Sequence, residues 1–273
     1  MSHQGSLVKQ KFPFLISVPH GGTEVPRCVR PLIHLTGQDL HYYSDPLTPV
    51  IYGYRNRVPA YIDTRISRMV VDLNRPPLPL PLRNPDGIIK LRTIDGTRVW
   101  RSGQVPDIRL IHQLLLEHYF PYHQKIDELI DRHHVIAAFD CHTMLPYGSL
   151  HQKDAGKERP KICLGNNGDR HGRAKKGSIA TCSKEWIATL AGLFADEFGG
   201  NGAVAINNPF SAGFIANAHY WRKGVPWVLI EVNRSLYEAD PHAAIPDRND
   251  RKRAVALRER IWKVLTTFEG CIS

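Results

Sequence analysis

Three short apolar runs constrain this chain more than any other feature, because each one stops at a residue able to do chemistry. Residues 135–144 deliver Asp140 and His142, residues 14–18 lead into His20-Gly-Gly, and residues 227–231 end on Glu231. A short apolar run bounded by polar residues reads as a buried strand. Open α/β sheets bind their ligands just beyond the carboxyl ends of such strands. Two histidines and a glutamate at three strand ends therefore point to one site on one sheet.

The stretches between them supply the rest of an α/β pattern. A helix with prolines near its start is expected over residues 39–54, with Asp45 just before Pro46. Further strands are expected over 60–65, 69–73 and 203–206. Residues 108–133 repeat apolar positions at helical spacing (Ile111, Leu114, Leu115, Ile126, Leu129, Ile130), and Pro121 should break that helix. Two more amphipathic helices are expected over 184–198 and 251–268. Residues 74–103, rich in proline, read as a covering loop or flap, 145–178 as a long polar loop, and 207–220 as a glycine-containing loop. The 273 residues, 42% of them hydrophobic, are enough for one sizeable core, so a single domain over 1–273 is expected.

Composition narrows the function. No run approaches the length of a membrane span, and the first residues lack the charged and apolar regions of a signal peptide, so a soluble cytoplasmic protein is expected. The five cysteines are odd in number and scattered, without C-x-x-C, which excludes a disulfide framework or a cysteine zinc cluster as the organising principle. The formal net charge of +10 gathers within 153–176 and 248–253. Neither stretch interleaves its charges with aromatics, and no nucleic-acid module is present, so these read as solvated faces that bias a site toward anions.

Strand periodicity puts Asp140 and His142 on one side of their strand, where Asp140 could accept the second N–H of a metal-bound imidazole. Gly21 and Gly22 let the chain turn sharply after His20 and leave room beside its ring. Two histidines and one carboxylate on a metal leave a position open, the arrangement of hydrolytic sites. The carboxylate is either Glu24 or Asp45; spacing alone does not choose. Nucleophile schemes fit poorly. His20-Gly-Gly has the form of an esterase oxyanion loop, but the chain has no G-x-S-x-G, and Cys141 faces away from Asp140 and His142. No P-loop motif occurs.

Ser17-Val-Pro-His-Gly-Gly22, Ser67-Arg68, Val70-Val-Asp-Leu-Asn-Arg-Pro76, Asp140-Cys-His142, Leu164-Gly165, Asn208-Pro-Phe210, Gly213-Phe-Ile215 and Ile230-Glu-Val-Asn-Arg-Ser-Leu-Tyr237, in that order, resemble the N-formylglutamate amidohydrolase family. The resemblance spans roughly residues 14 to 240. It implies a zinc-carboxypeptidase-like (phosphorylase/hydrolase-like) fold, a single mixed sheet flanked by helices. It also implies one zinc per chain, hydrolysis of the amide of a small acidic N-acyl amino acid such as N-formylglutamate, and Asp45 rather than Glu24 as the third ligand.

On this reading His20, Asp45 and His142 hold the metal and Glu231 is the general base. Arg68 and Arg75 serve the reaction by stabilising an oxyanion or holding a carboxylate, and Arg234 binds the substrate carboxylate. Asp72 and Asn74 orient these arginines, with Asn74 also a candidate for substrate contact. One departure stands out: where the family commonly carries an Arg after Gly213-Phe-Ile215, this chain has Asn217, with His219 and Tyr220 just beyond. A neutral amide cannot replace a guanidinium fork. Asn217 in that place would make the enzyme tolerant of a neutral amino-acid side chain, or of a small peptide. The alternative from another class is a metal- or anion-binding protein that keeps the fold without turnover.

Overall fold

In the computed structural model, residues 11–81, 83–200, 202–240 and 245–272 are described. Strands β1 (Phe14–Val18), β2 (Ala60–Asp63), β3 (Ala137–Met144), β4 (Ile162–Gly165), β5 (Val204–Ile206) and β6 (Trp227–Asn233) form one mixed sheet in the order β2-β1-β3-β6-β4-β5. β2, β1, β3 and β6 are parallel, and β4 runs antiparallel to β6. The chain leaves β1 for β2 on one side and returns to β3 on the other. The carboxyl ends of β1 and β3 therefore flank a topological switch point, the crevice where open sheets of this kind take ligands.

Side-chain alternation sorts these strands onto two cores. Phe14, Ile16, Val18, Phe139, Cys141, Val228 and Ile230 pack with helices α5 (Lys184–Phe198) and α7 (Arg248–Ile272). Leu15, Ala138 and Trp227 face the opposite layer, built from α3 (Ile108–Leu114), α4 (Phe120–Arg132) and α6 (Phe214–Lys223). By the same alternation Asp140, His142 and Glu231 share the second face, whereas Cys141 is buried on the first, where desolvation pushes its thiol pKa up.

Four local expectations are corrected. Residues 39–54 form two short helices, α1 (Gly37–Tyr43) and α2 (Thr48–Ile51), with Asp45 in the break. α1 starts from a Thr36–Asp39 capping box, and the break ends with Leu47 in the left-handed region at φ 60°. Residues 69–73 are a buried turn rather than a strand: the Val70 and Val71 amides fold back onto the Ser67 carbonyl. Their apolar character comes from burial, which a turn under a covering loop requires as much as a strand does. The loop at 207–220 contains most of α6, because Gly213 and Gly224 are its two caps, the latter at φ 71°. The polar stretch 145–178 contains β4.

The break near Pro121 takes a specific form. A π-helical turn, Leu115–Tyr119, joins α3 to α4, and Pro121 lies in the first turn of α4, where its missing N–H is tolerated. The proline-rich stretch covers the sheet's carboxyl edge, with Ile88, Ile89, Val99 and Trp100 buried in the second core. Among the described residues no helix is long and apolar enough to cross a membrane.

Candidate metal centre and catalytic site

His20 follows β1 and is held in place by its glycines. A Cβ on Gly21 would lie 2.6 Å from the Pro49 ring, and one on Gly22 would lie 2.2 Å from the Arg65 carbonyl carbon, so only glycine lets the chain lie against both. The Asp45 amide donates to the His20 carbonyl at 2.9 Å, which ties the α1–α2 break to the end of β1. Asp45 Oδ2 consequently lies 3.0 Å from His142 Nδ1 and 3.7 Å from His20 Nδ1. One atom from each of His20, Asp45 and His142 falls within 4.8 Å of the others, and all three side chains are buried.

The far nitrogen of each imidazole is fixed by a carboxylate. His20 Nε2 lies 2.7 Å from Asp72 Oδ1, and His142 Nε2 lies 3.1 Å from Asp140 Oδ1. Asn74 Nδ2 also lies 3.1 Å from His142 Nε2; in the tautomers whose Nε2–H groups donate to Asp72 and Asp140, the two Nδ1 lone pairs would face Asp45. His20 Nδ1 has no hydrogen-bond partner although it is buried. Burial opposes a charge on His142, but Asp140 and Asp45 outweigh it and hold its pKa well above the ordinary histidine value. Two imidazoles and a carboxylate thus converge on one buried point, and the His, Asp, His donor set fits a divalent metal with a position left open.

Asp72 is the centre of a larger network. Besides His20 it accepts from Arg68 Nη2 at 2.9 Å, the Asn74 amide at 2.9 Å and Lys90 Nζ at 3.0 Å. Burial would raise its pKa, but Arg68 and Lys90 hold it well below the usual carboxylate range. Asn74 donates through Nδ2 to Asp140 Oδ2 at 2.8 Å and accepts the Ile215 amide on Oδ1 at 2.8 Å. Each histidine thereby has a buried carboxylate behind it, and each carboxylate has its own donors.

Glu231 is placed by strand register, directly beside His142. It is 8% exposed, burial pushes its pKa up to about 7, and its Oε2 has no hydrogen-bond partner. It lines a cavity of about 370 Å³ together with His20, Asp45, Arg68, Lys90 and Arg234. A carboxylate that is easily protonated, beside a metal-ligand group and an open cavity, can take up and return a proton near neutral pH.

The three arginines are placed differently from one another. Arg68 gives Nη2 to Asp72, has Nη1 3.6 Å from Asp45 Oδ1, and has no hydrogen-bond partner for Nε. Arg75 lines the cavity, but its donors go to the Asp86 carbonyl and carboxylate and to the Asn74 carbonyl. Arg234 gives Nε to Glu238 and Nη1 to the Tyr42 carbonyl, each at 2.9 Å.

The three remaining sequence candidates differ in placement. Glu24 is half-exposed, ion-paired with Arg65, and does not join the ligand group. Asn74 accepts Arg75 Nη1–H on its backbone carbonyl at 3.2 Å and lines the cavity, while its side-chain amide serves Asp140 and Ile215. Asn217 donates to the Gly213 carbonyl at 3.0 Å within α6 and is not among the cavity-lining residues. Sequence reasoning missed Asp72 as the partner of His20 and also missed Lys90. Separations of 52 and 18 residues from Asp72 carry no periodic signal.

The chain resembles known proteins over nearly all of its length. It is 28% identical to the N-formylglutamate deformylase of Pseudomonas aeruginosa, over 95% of each chain. It is 26% identical to that of Pseudomonas putida, over 88% of this chain and 85% of the relative. The crystal structure of an N-formylglutamate amidohydrolase from Ralstonia eutropha JMP134 has the same fold, with a TM-score of 0.69 at 17% identity over 94% of this chain and 95% of that one. A gene product of Agrobacterium tumefaciens also shares the fold, with a TM-score of 0.69 at 15% identity over 97% and 92%. The sequence model of one family matches residues 12–238, most of the chain, and the protein belongs to that family, the N-formylglutamate amidohydrolases.

Proposed function

We propose that this protein is a zinc-dependent amidohydrolase that removes the formyl group from N-formylglutamate, releasing formate and glutamate. The observation that carries this reading is the convergence of His20, Asp45 and His142 beside Glu231, in a chain of this family. One zinc per chain is held by those three side chains and, when bound, supplies Lewis acidity toward a carbonyl and toward water. The names of the two Pseudomonas relatives support the substrate.

The chain's own residues supply the remaining chemistry. Glu231 takes a proton from the attacking water and returns it to the leaving amine nitrogen, a double role that a carboxyl titrating near neutrality can perform. Arg68, with its free Nε, faces the negative charge that develops on the former carbonyl oxygen. Asp72 and Asp140 keep the two imidazoles in the tautomer that presents Nδ1. Arg75, locked onto Asp86, shapes the wall of the cavity. The five free thiols suit a reducing cytoplasm.

The test is metal analysis joined to an assay on N-formylglutamate, before and after chelation. Activity that is lost on chelation and restored by about one equivalent of zinc supports the proposal. Full activity in protein stripped of metal would overturn it.

A further inference from the structure

Arg234 holds a buried donor that the protein does not use. Its side chain is 2% exposed and lines the cavity, yet Nη2 has no hydrogen-bond partner among the described residues. The other two nitrogens are committed, Nε to Glu238 and Nη1 to the Tyr42 carbonyl. A structural arginine at this depth normally has every donor satisfied, because a buried N–H without a partner costs about 1–3 kcal/mol. The guanidinium is also rigid: its two anchors come from separate elements, and its carbon lies 5.9 Å from the centre of the Tyr42 ring. It is a preorganised, unpartnered donor buried in the wall of the cavity.

Its position relative to Arg68 indicates what a ligand would carry there. Arg68 belongs to the β1 flank of the ligand group, in contact with Asp72 and within 3.6 Å of Asp45. Arg234 follows β6, on the far side of β3 in the sheet order. Among the described residues four guanidinium groups line the cavity; Arg75 is committed to Asp86 and Asn74, and Arg159 to Asp154, Gln152 and the Leu145 carbonyl, which leaves unpartnered nitrogens on Arg68, beside the ligand triad, and on Arg234, after β6. With the reacting amide at the triad and Arg68 beside it, Arg234 is the unpartnered donor left for a second acidic group of the substrate. Asn217 does not compete for that group, since it is turned into its own helix.

We infer that Arg234 is the specificity-determining residue for the side-chain carboxylate of the substrate, so that the enzyme selects an acidic over a neutral amino-acid side chain. Nη2 donates to that carboxylate, while Glu238 and the Tyr42 carbonyl hold the fork in place. This deepens the proposed function and rests on it for the identity of the amide. It also reverses the tolerance expected from Asn217, because the residue that reads the side chain comes from the end of β6 and not from α6.

The experiment compares kcat/KM for N-formylglutamate and N-formylglutamine in the parent, in Arg234→Gln and in Arg234→Lys. The lysine variant keeps the charge opposite Glu238, so it serves if the glutamine variant does not fold. The parent should prefer N-formylglutamate, and either variant should lower that preference roughly ten- to a hundredfold, the range of one lost charge-assisted contact. Parallel losses on both substrates, or an unchanged preference, would overturn the assignment. Glutarate binding by calorimetry gives a reading independent of turnover: the parent should bind it, and Arg234→Lys should weaken binding at least tenfold. Equal binding by both refutes the role of Arg234 even if the parent hydrolyses neither amide, an outcome that would instead count against the proposed reaction.

Discussion

Replacing Glu231 by Gln should stabilise the metal-free protein while destroying its activity. The carboxyl is 8% exposed, and burial lifts its pKa from 4.5 to about 7. A difference of that size is worth about 3 kcal/mol, at roughly 1.4 kcal/mol per unit. The sign follows from which state holds the proton. Below about pH 4.5 the carboxyl is protonated in both folded and unfolded chains and contributes nothing. Between there and about pH 7 the unfolded chain ionises and the folded one resists, so stability falls as pH rises and the full penalty stands above pH 7. Glutamine never ionises. Urea unfolding of both proteins, stripped of metal, should therefore coincide near pH 4 and separate by up to about 3 kcal/mol near pH 8, the variant being the more stable. The metal-loaded variant should lose about 10²–10⁴-fold in kcat with its metal retained. A variant no more stable than the parent at pH 8 would show that the folded protein does not strain this carboxylate. Undiminished kcat would remove Glu231 from the proton transfers.

Four further substitutions test the surroundings. His20→Ala and His142→Ala should each fold and lose the bound metal, about one equivalent by elemental analysis in the parent, and full metal content in both would place the centre elsewhere. Asp72→Asn removes the carboxylate that holds His20 Nε2 at 2.7 Å and should weaken metal affinity about 10–100-fold in a competitive chelator titration, with unchanged affinity counting against its role. Gly213→Ala places a methyl group 2.2 Å from the Asn74 amide and should lower stability by about 1–3 kcal/mol in thermal or urea unfolding, whereas a neutral result would mean that Asn74 is free to move.

The strand ends were legible because they obey a local rule. Apolar runs that stop at His20, His142 and Glu231 identify both the sheet and its functional edge without any knowledge of pairing. From spacing Asp45 was legible only as one of two acids, and the family resemblance chose it; what brings it to the site is the bond from its amide to the His20 carbonyl, a contact no spacing encodes. The carboxylate behind His142 was visible two residues away, but the one behind His20 lies 52 residues on, in a turn whose apolar run imitates a strand. α6 was hidden for the opposite reason: the glycines that cap it are the residues that mark loops. Asn217 could be aligned with the family's arginine but not oriented, and orientation removes it from the cavity.

Asp72 gives one oxygen to His20 and the other to Arg68 and Lys90, and Lys90 belongs to the proline-rich cover over the cavity. A single carboxylate thus contacts both the imidazole of a candidate metal ligand and a residue of the cover. Coupling through such a shared contact is reciprocal: whatever settles between His20 and Asp45 biases the cover toward its seated position, and whatever draws the cover down sharpens the imidazole's aim by the same free energy. Under the proposed function, a substrate that fills the cavity under Lys90 would tighten the hold of His20 on a bound metal, so loading and catalysis would be linked through Asp72, which is placed to touch neither.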